Sequence, residues 1–157
     1  MKTYTGKTVD DAVSKACLDL GITIDQLNYE VTLETKGLFS KKAEIACWTV
    51  EMVQEYIENL IRKILTDMQF EVETVSYVQD GRIYCNINTS NNSILIGKAG
   101  VILRAINLII KNAVSTTFKK RLEVSVDING YKEERYIKVA SMARRFGKTV
   151  LRTKADL

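Results

Sequence analysis

The chain of 157 residues contains no histidine and no proline. Without histidine, no imidazole can act as the base for a serine or cysteine nucleophile, and none can bind a metal. Without proline, glycine and the Asx residues must mark the ends of every element. Cysteine is scarce: Cys17, Cys47 and Cys85 are odd in number, far apart and without metal-ligand spacing, which reads as buried free thiols. Apolar runs break at a charge or glycine after a few residues, so run length implies no bilayer-crossing segment. Met1-Lys2-Thr3-Tyr4 opens no signal peptide. The expectations are a cytoplasmic location, no cofactor and no metal.

One further absence is regional. Residues 81–122 carry seven basic side chains and no carboxylate, whereas residues 1–80 carry eight basic and fourteen acidic ones; the net charges are +7 and −6, within a total of +4. A 42-residue span free of carboxylate is the electrostatic footprint expected where a polyanion lies. The competing reading is chance in a stretch rich in Asn, Ser and Ile.

Periodicity supplies the elements. Thr8 and Asp11 read as a helix cap and its partner, Val9, Ala12, Val13, Ala16 and Leu20 as one apolar face, and Gly21 as the stop. Tyr29, Val31 and Leu33 alternate with polar residues as a half-buried strand, and Ile45 and Cys47 sit in a second, making a βαββ-like unit that ends near Trp48. A strong helix follows, with Met52, Val53, Tyr56, Ile57, Leu60, Ile61, Ile64, Leu65 and Met68 on one side. Strands at 70–78 and 82–88 are joined by Asp80-Gly81, a dipeptide suited to a type I′ hairpin. Then come a helical turn at 93–96, a helix at 101–118, a strand at 122–128 and a final helix from Tyr131 to about Leu151. The apolar face of that last helix is Tyr136, Val139, Ala140, Ala143, Phe146 and Val150.

Between the helical turn and the 101–118 helix stands Ile96-Gly97-Lys98-Ala99-Gly100. Glycine costs about 1 kcal/mol against alanine inside a helix. Here it removes Cβ atoms from the approach to a helix N-terminus, where unpaired amides and the positive end of the dipole attract anions. The bland alternative is a helix–turn–helix corner that merely needs glycine to bend. Arg104, Asn107, Lys111 and Ser115 form a polar stripe on the following helix, opposite Ile102, Ile106, Ile109 and Ala113. Lys119-Lys120-Arg121 reads either as more of a phosphate track or as the cationic end of that helix.

The element order and the Ile-Gly-x-x-Gly loop together resemble the K homology (KH) domain in its type II arrangement. KTVDDAVSKACLDLG and KGLFSKKAEI resemble the N-terminal domain of the Jag family, the SpoIIIJ-associated RNA-binding proteins. The tail from Asp127 through Arg145 is similar to the opening of that family's third domain, although the Arg-to-His motif defining it is not within these residues. The resemblance implies an α+β fold: a βαββ domain at 1–48, a type II KH domain at 50–129 with a three-stranded sheet packed by helices, and a C-terminal helix at 130–157. It implies binding of single-stranded RNA by Ile96, Gly97, Lys98, Ala99, Gly100 and Arg104, with Ile94, Leu95, Ile96 and Ile102 as candidates for an aliphatic groove floor. It also implies a role in bacterial cell elongation, division or envelope growth. A homodimer, or a heterodimer with a small KH protein, would raise affinity through effective concentration.

Catalysis is not expected. Gly6-Lys7-Thr8 and Gly147-Lys148-Thr149 mimic the end of a P-loop, but Met1 and Met142 stand where its first glycine is required. The alternative function is a protein-interaction and dimerisation module with little nucleic-acid binding. Leu38 and Phe39, at a turn flanked by Lys36, Lys41 and Lys42, are the feature behind it.

Overall fold

The computed structural model describes residues 1–36 and 41–153. Leu38 and Phe39 therefore lie outside the described residues. The fold is α+β, with two three-stranded sheets, and the chain divides into two compact units: 1–59 with 112–122, and 60–111 with 123–157.

The first unit opens with β1 (Lys2–Gly6), α1 (Val9–Leu20), β2 (Asn28–Lys36) and β3 (Lys41–Trp48). The sheet order is β1-β3-β2, antiparallel throughout. Thr8 caps α1 by accepting from the Asp11 amide at 3.2 Å. Asp11 reaches back one residue further than a capping box requires, to the Lys7 amide at 2.8 Å. That bond, with the Lys15 ammonium beside it, holds the Asp11 carboxyl below its ordinary pKa. Gly21 ends the helix in the left-handed region. Small Ala12 and Ala16, one turn apart, let α1 sit close on the sheet, and they form a core with Val13, Leu27, Ile45 and Cys47. Phe118 adds an aromatic cluster, 5.9 Å from Trp48 and edge-on to Tyr56 at 5.4 Å.

The expected alternation of β2 is corrected. A bulge between Val31 and Leu33 shifts the register, so Val31 opposes Ile45 while Leu33 opposes Glu44. Leu33 is thereby turned to the opposite face. Tyr29, Val31 and Leu33 are each 42–43% exposed, so none is a core residue.

The helix α2 (Val50–Asp67) buries Val53, Ile57, Ile61 and Leu65 at the expected spacing, whereas Met68 falls beyond its end and is exposed. In the second unit, β4 (Glu73–Gln79) and β5 (Arg82–Asn88) form an antiparallel hairpin whose turn residues Asp80 and Gly81 both have positive φ. Next come α3 (Asn92–Ile96), a 3-10 turn at Lys98–Gly100, α4 (Val101–Phe118), β6 (Val124–Ile128) and α5 (Tyr131–Thr153). The order from α2 onward matches the one implied by the resemblance.

The sheet order is β4-β5-β6, with β5 and β6 parallel. Parallel neighbours need a crossover connection, and α3, the glycine turn and α4 supply it. Ile83, Cys85, Ile87, Val124, Val126 and Ile128 are buried on one face. On the other, Tyr77 and Tyr84 stack as a cross-strand pair, 5.2 Å apart.

Among the described residues one stretch, Asn92–Phe118, is long and apolar enough by length and composition to cross a membrane, which corrects the expectation from run length. It is interrupted at Gly97–Gly100, and Leu95, Leu103, Ile110, Val114 and Phe118 are buried within the protein. Ile94, Val101, Ile102, Leu108 and Ile109 on the same stretch are exposed.

Candidate nucleic-acid interface

The loop is built by backbone conformations that glycine alone tolerates well. Gly97 has φ 70 and ψ 177, a region essentially closed to other residues. A Cβ there would also stand 2.7 Å from Ile102 Cγ1. Gly100, with φ 77, is buried under Tyr131, whose Cε1 would lie 3.0 Å from an added Cβ. Between them Ala99 adopts the left-handed conformation, φ 53 and ψ 26. The chain thus turns sharply and leaves Lys98 and Ala99 exposed at its apex.

The expectation of bare amides along the whole loop is narrowed by the hydrogen bonds. Gly97 N–H donates to Ser93 O and Gly100 N–H to Gly97 O, each at 3.1 Å, and Val101 N–H donates to Lys98 O. Gly100 is buried and packs against Tyr131. Ile96 is half-buried and Leu95 fully buried, so of the proposed groove floor only Ile94 and Ile102 present much surface.

Arg104 is exposed, and its Nη1 donates to Ala99 O at 2.8 Å. Arg135, on α5, donates to the same oxygen at 2.9 Å. Two guanidinium groups therefore converge on the apex, one from a candidate residue and one that sequence reasoning missed. Arg135 is placed by the Asn129-Gly130 turn: Asn129 accepts from Thr89 N–H at 3.1 Å and donates to Thr89 O at 2.8 Å, pinning the start of α5 to the end of β5. The sequence signal available was that turn; Ala99, which Arg135 reaches, lies thirty-six residues before the arginine.

The polar stripe expected on α4 does not survive intact. Asn107 is half-buried and accepts from Val126 N–H of β6 at 2.9 Å. Ile102 and Ile109, expected on the packed side, are exposed, and Leu103, Ile110 and Val114 form the buried side instead. Lys119 and Lys120 also leave the track: the first pairs with Glu30 at 3.1 Å and the second donates to Asn28 at 2.8 Å, both in the first unit. Cations close to the loop in the second unit are Lys98, Arg104 and Arg135. Lys132, behind them, donates to Ser125 at 2.7 Å, and burial pushes its pKa down against the opposing pull of Asp127. Among the described residues none of Lys98, Arg104 and Arg135 is in an ion pair.

Comparison with known proteins bears on the whole chain. The family model described as Jag N-terminus matches residues 4–47, the span from β1 to β3. An RNA-binding protein KhpB of Clostridium symbiosum is 29% identical over 163 residues, covering 100% of this chain and 73% of the relative. The RNA-binding protein KhpB of Bacillus subtilis (strain 168) is 25% identical over 168 residues, covering 99% and 77%. Residues 4–47 belong to the Jag N-terminal family. That matched span is the βαββ unit built on Ala12, Ala16, Ile45 and Cys47. Both KhpB alignments extend past it through the glycine loop to α5.

Proposed function

We propose that this chain binds single-stranded RNA, with the sugar-phosphate backbone crossing the Lys98-Ala99 apex. The observation that carries the reading is the apex itself: exposed, cationic, free of Cβ atoms on both sides, and set in a span without carboxylates. The names of both relatives, RNA-binding proteins, support it. Lys98 supplies a mobile phosphate contact, Arg104 braces the apex through Ala99 O, and Ile94 and Ile102 offer aliphatic surface to bases. The reading is of a binding module without catalysis. It extends to a cytoplasmic regulator of elongation, division or envelope growth, as the resemblance implies.

The test is fluorescence anisotropy of a short labelled RNA across salt concentrations. With about three phosphates neutralised, log affinity against log salt should fall with a slope of about −2. Binding that ignores salt would remove the clamp from consideration. The double substitution Lys98→Asp, Ala99→Asp should abolish binding with the fold intact, because both residues are exposed and Asp tolerates a left-handed backbone.

A second reading, a dimerisation module, is favoured by one observation. Leu108 and Ile109 on α4 are 59% and 54% exposed, and Val101 lies two turns before them on the same side. Sedimentation that stays monomeric at high protein concentration would refute it.

A further inference from the structure

A cavity of about 420 Å³ opens beside the loop, lined by the first turns of α4 and α5. Leu103 and Val139 give it aliphatic walls, Tyr131 and Tyr136 aromatic ones, and Arg104, Arg135 and Lys132 its charge. Its volume is that of a small-molecule site, within a range of roughly 300–1,000 Å³.

Two features restrict what could fill it. Arg104 and Arg135 stand side by side because both donate to Ala99 O, a neutral acceptor, and among the described residues neither has a carboxylate partner. Two permanent cations held together repel each other, and an anion between them turns that repulsion into attraction. Each guanidinium carries five N–H donors, and the bonds to Ala99 O use only Nη1, so donors remain for a phosphate. The second feature is Tyr136, 78% exposed at the cavity rim, a flat ring accessible to a stacking partner.

An anion joined to a flat, largely apolar ring is a nucleotide. We propose that this cavity is a nucleotide subsite, with the base against Tyr131 and Tyr136 and the phosphate on Arg104 and Arg135. The nucleotide belongs to the same RNA strand that crosses Lys98-Ala99, because Ala99 is both the apex of the loop and the acceptor that gathers the two arginines. The inference rests on the RNA reading and lengthens the footprint from the loop onto the start of α5.

The experiment measures affinity of a labelled single-stranded RNA for the full chain, for Tyr136→Ala, for Arg135→Gln and for the Lys98→Asp, Ala99→Asp double variant. Loss of one stacked base weakens binding by about five- to tenfold in Tyr136→Ala. Loss of one phosphate contact makes the salt slope shallower by about 0.7 in Arg135→Gln. Circular dichroism confirms the fold of each variant. If Tyr136→Ala and Arg135→Gln bind like the parent while the double variant does not bind, the subsite is overturned and the loop reading stands. If the parent chain binds no RNA, both fall. Adenosine monophosphate, followed by tyrosine ring resonances, is the last arm. Saturation of equal affinity in the parent and the double variant, with RNA affinity unchanged in Tyr136→Ala, would assign the cavity to a free nucleotide and overturn its place on the strand.

Discussion

Replacing Gly97 by alanine is the substitution whose cost is best defined by the structure. Two separate penalties meet at this residue. The backbone at φ 70 and ψ 177 is a region essentially reserved for glycine, and holding alanine there costs about 1–3 kcal/mol. The new Cβ would also lie 2.7 Å from Ile102 Cγ1 and 2.9 Å from its Cδ1, closer than any real contact. Ile102 is partly exposed and can turn aside, so this adds about 1 kcal/mol, the low end for overpacking. The expected total is about 3 kcal/mol. Gly81→Ala, in the same unit, is the reference: its φ is 73, but nothing lies within 4 Å of an added Cβ. There only the left-handed backbone is charged for, at about 1–2 kcal/mol. Urea unfolding followed by circular dichroism gives both values. Adding Ile102→Ala to Gly97→Ala should recover the steric share and leave the backbone share, so the double variant costs less than the sum of the two single variants. If Gly97→Ala costs no more than Gly81→Ala, the account of the loop as a strained, buttressed turn is wrong.

Three other outcomes are expected. Ala99→Gly should stabilise the fold by about 0.5 kcal/mol, since relief of the left-handed alanine outweighs the added freedom of the unfolded chain; a loss of stability in the same assay would contradict the φ of 53. Phe118→Ala should cost about 3–5 kcal/mol, because the ring is buried against Trp48 and Tyr56; emission from Trp48, the single tryptophan, reports the unfolding, and a small shift of the midpoint would refute the packing. The Tyr4 hydroxyl donates to Asp19, which raises the Tyr4 pKa from 10.0 to about 12 and lowers that of Asp19. The Tyr4 contribution is thus complete below pH 10.0 and lost as pH rises through about 12. The Asp19 contribution is present above its unperturbed 3.8 and lost as pH falls through the lowered value. Urea midpoints should fall between these alkaline limits in the parent and stay level in Tyr4→Phe; parallel curves would remove the bond.

Much of the fold was legible because its signals are local. The 82–88 strand and the 101–118 helix carry their own periodicity, and Thr8, Gly21 and Asp80-Gly81 are caps and turns set by neighbouring residues. What escaped depends on distant partners. The bulge after Val31 is a matter of register against β3, and Asn107 is drawn inward by an amide on β6. The glycine pair could be located from sequence, but Gly100 as a residue covered by Tyr131, and Arg135 as a companion of Arg104, need the turn that returns α5 to the loop. The apolar positions of α5 show the limit from the other side: a helical stripe from Tyr136 to Phe146 is regular in sequence and exposed in the structure.

The bond from Val126 to Asn107 has a consequence for assembly. Because β6 is the outer strand of its sheet, an amide pointing away from β5 would ordinarily recruit a further strand from another molecule. With that donor already occupied by a side chain from α4, strand addition on this border is discouraged. Copies of the chain that join through this sheet would have to approach by the opposite border, at β4.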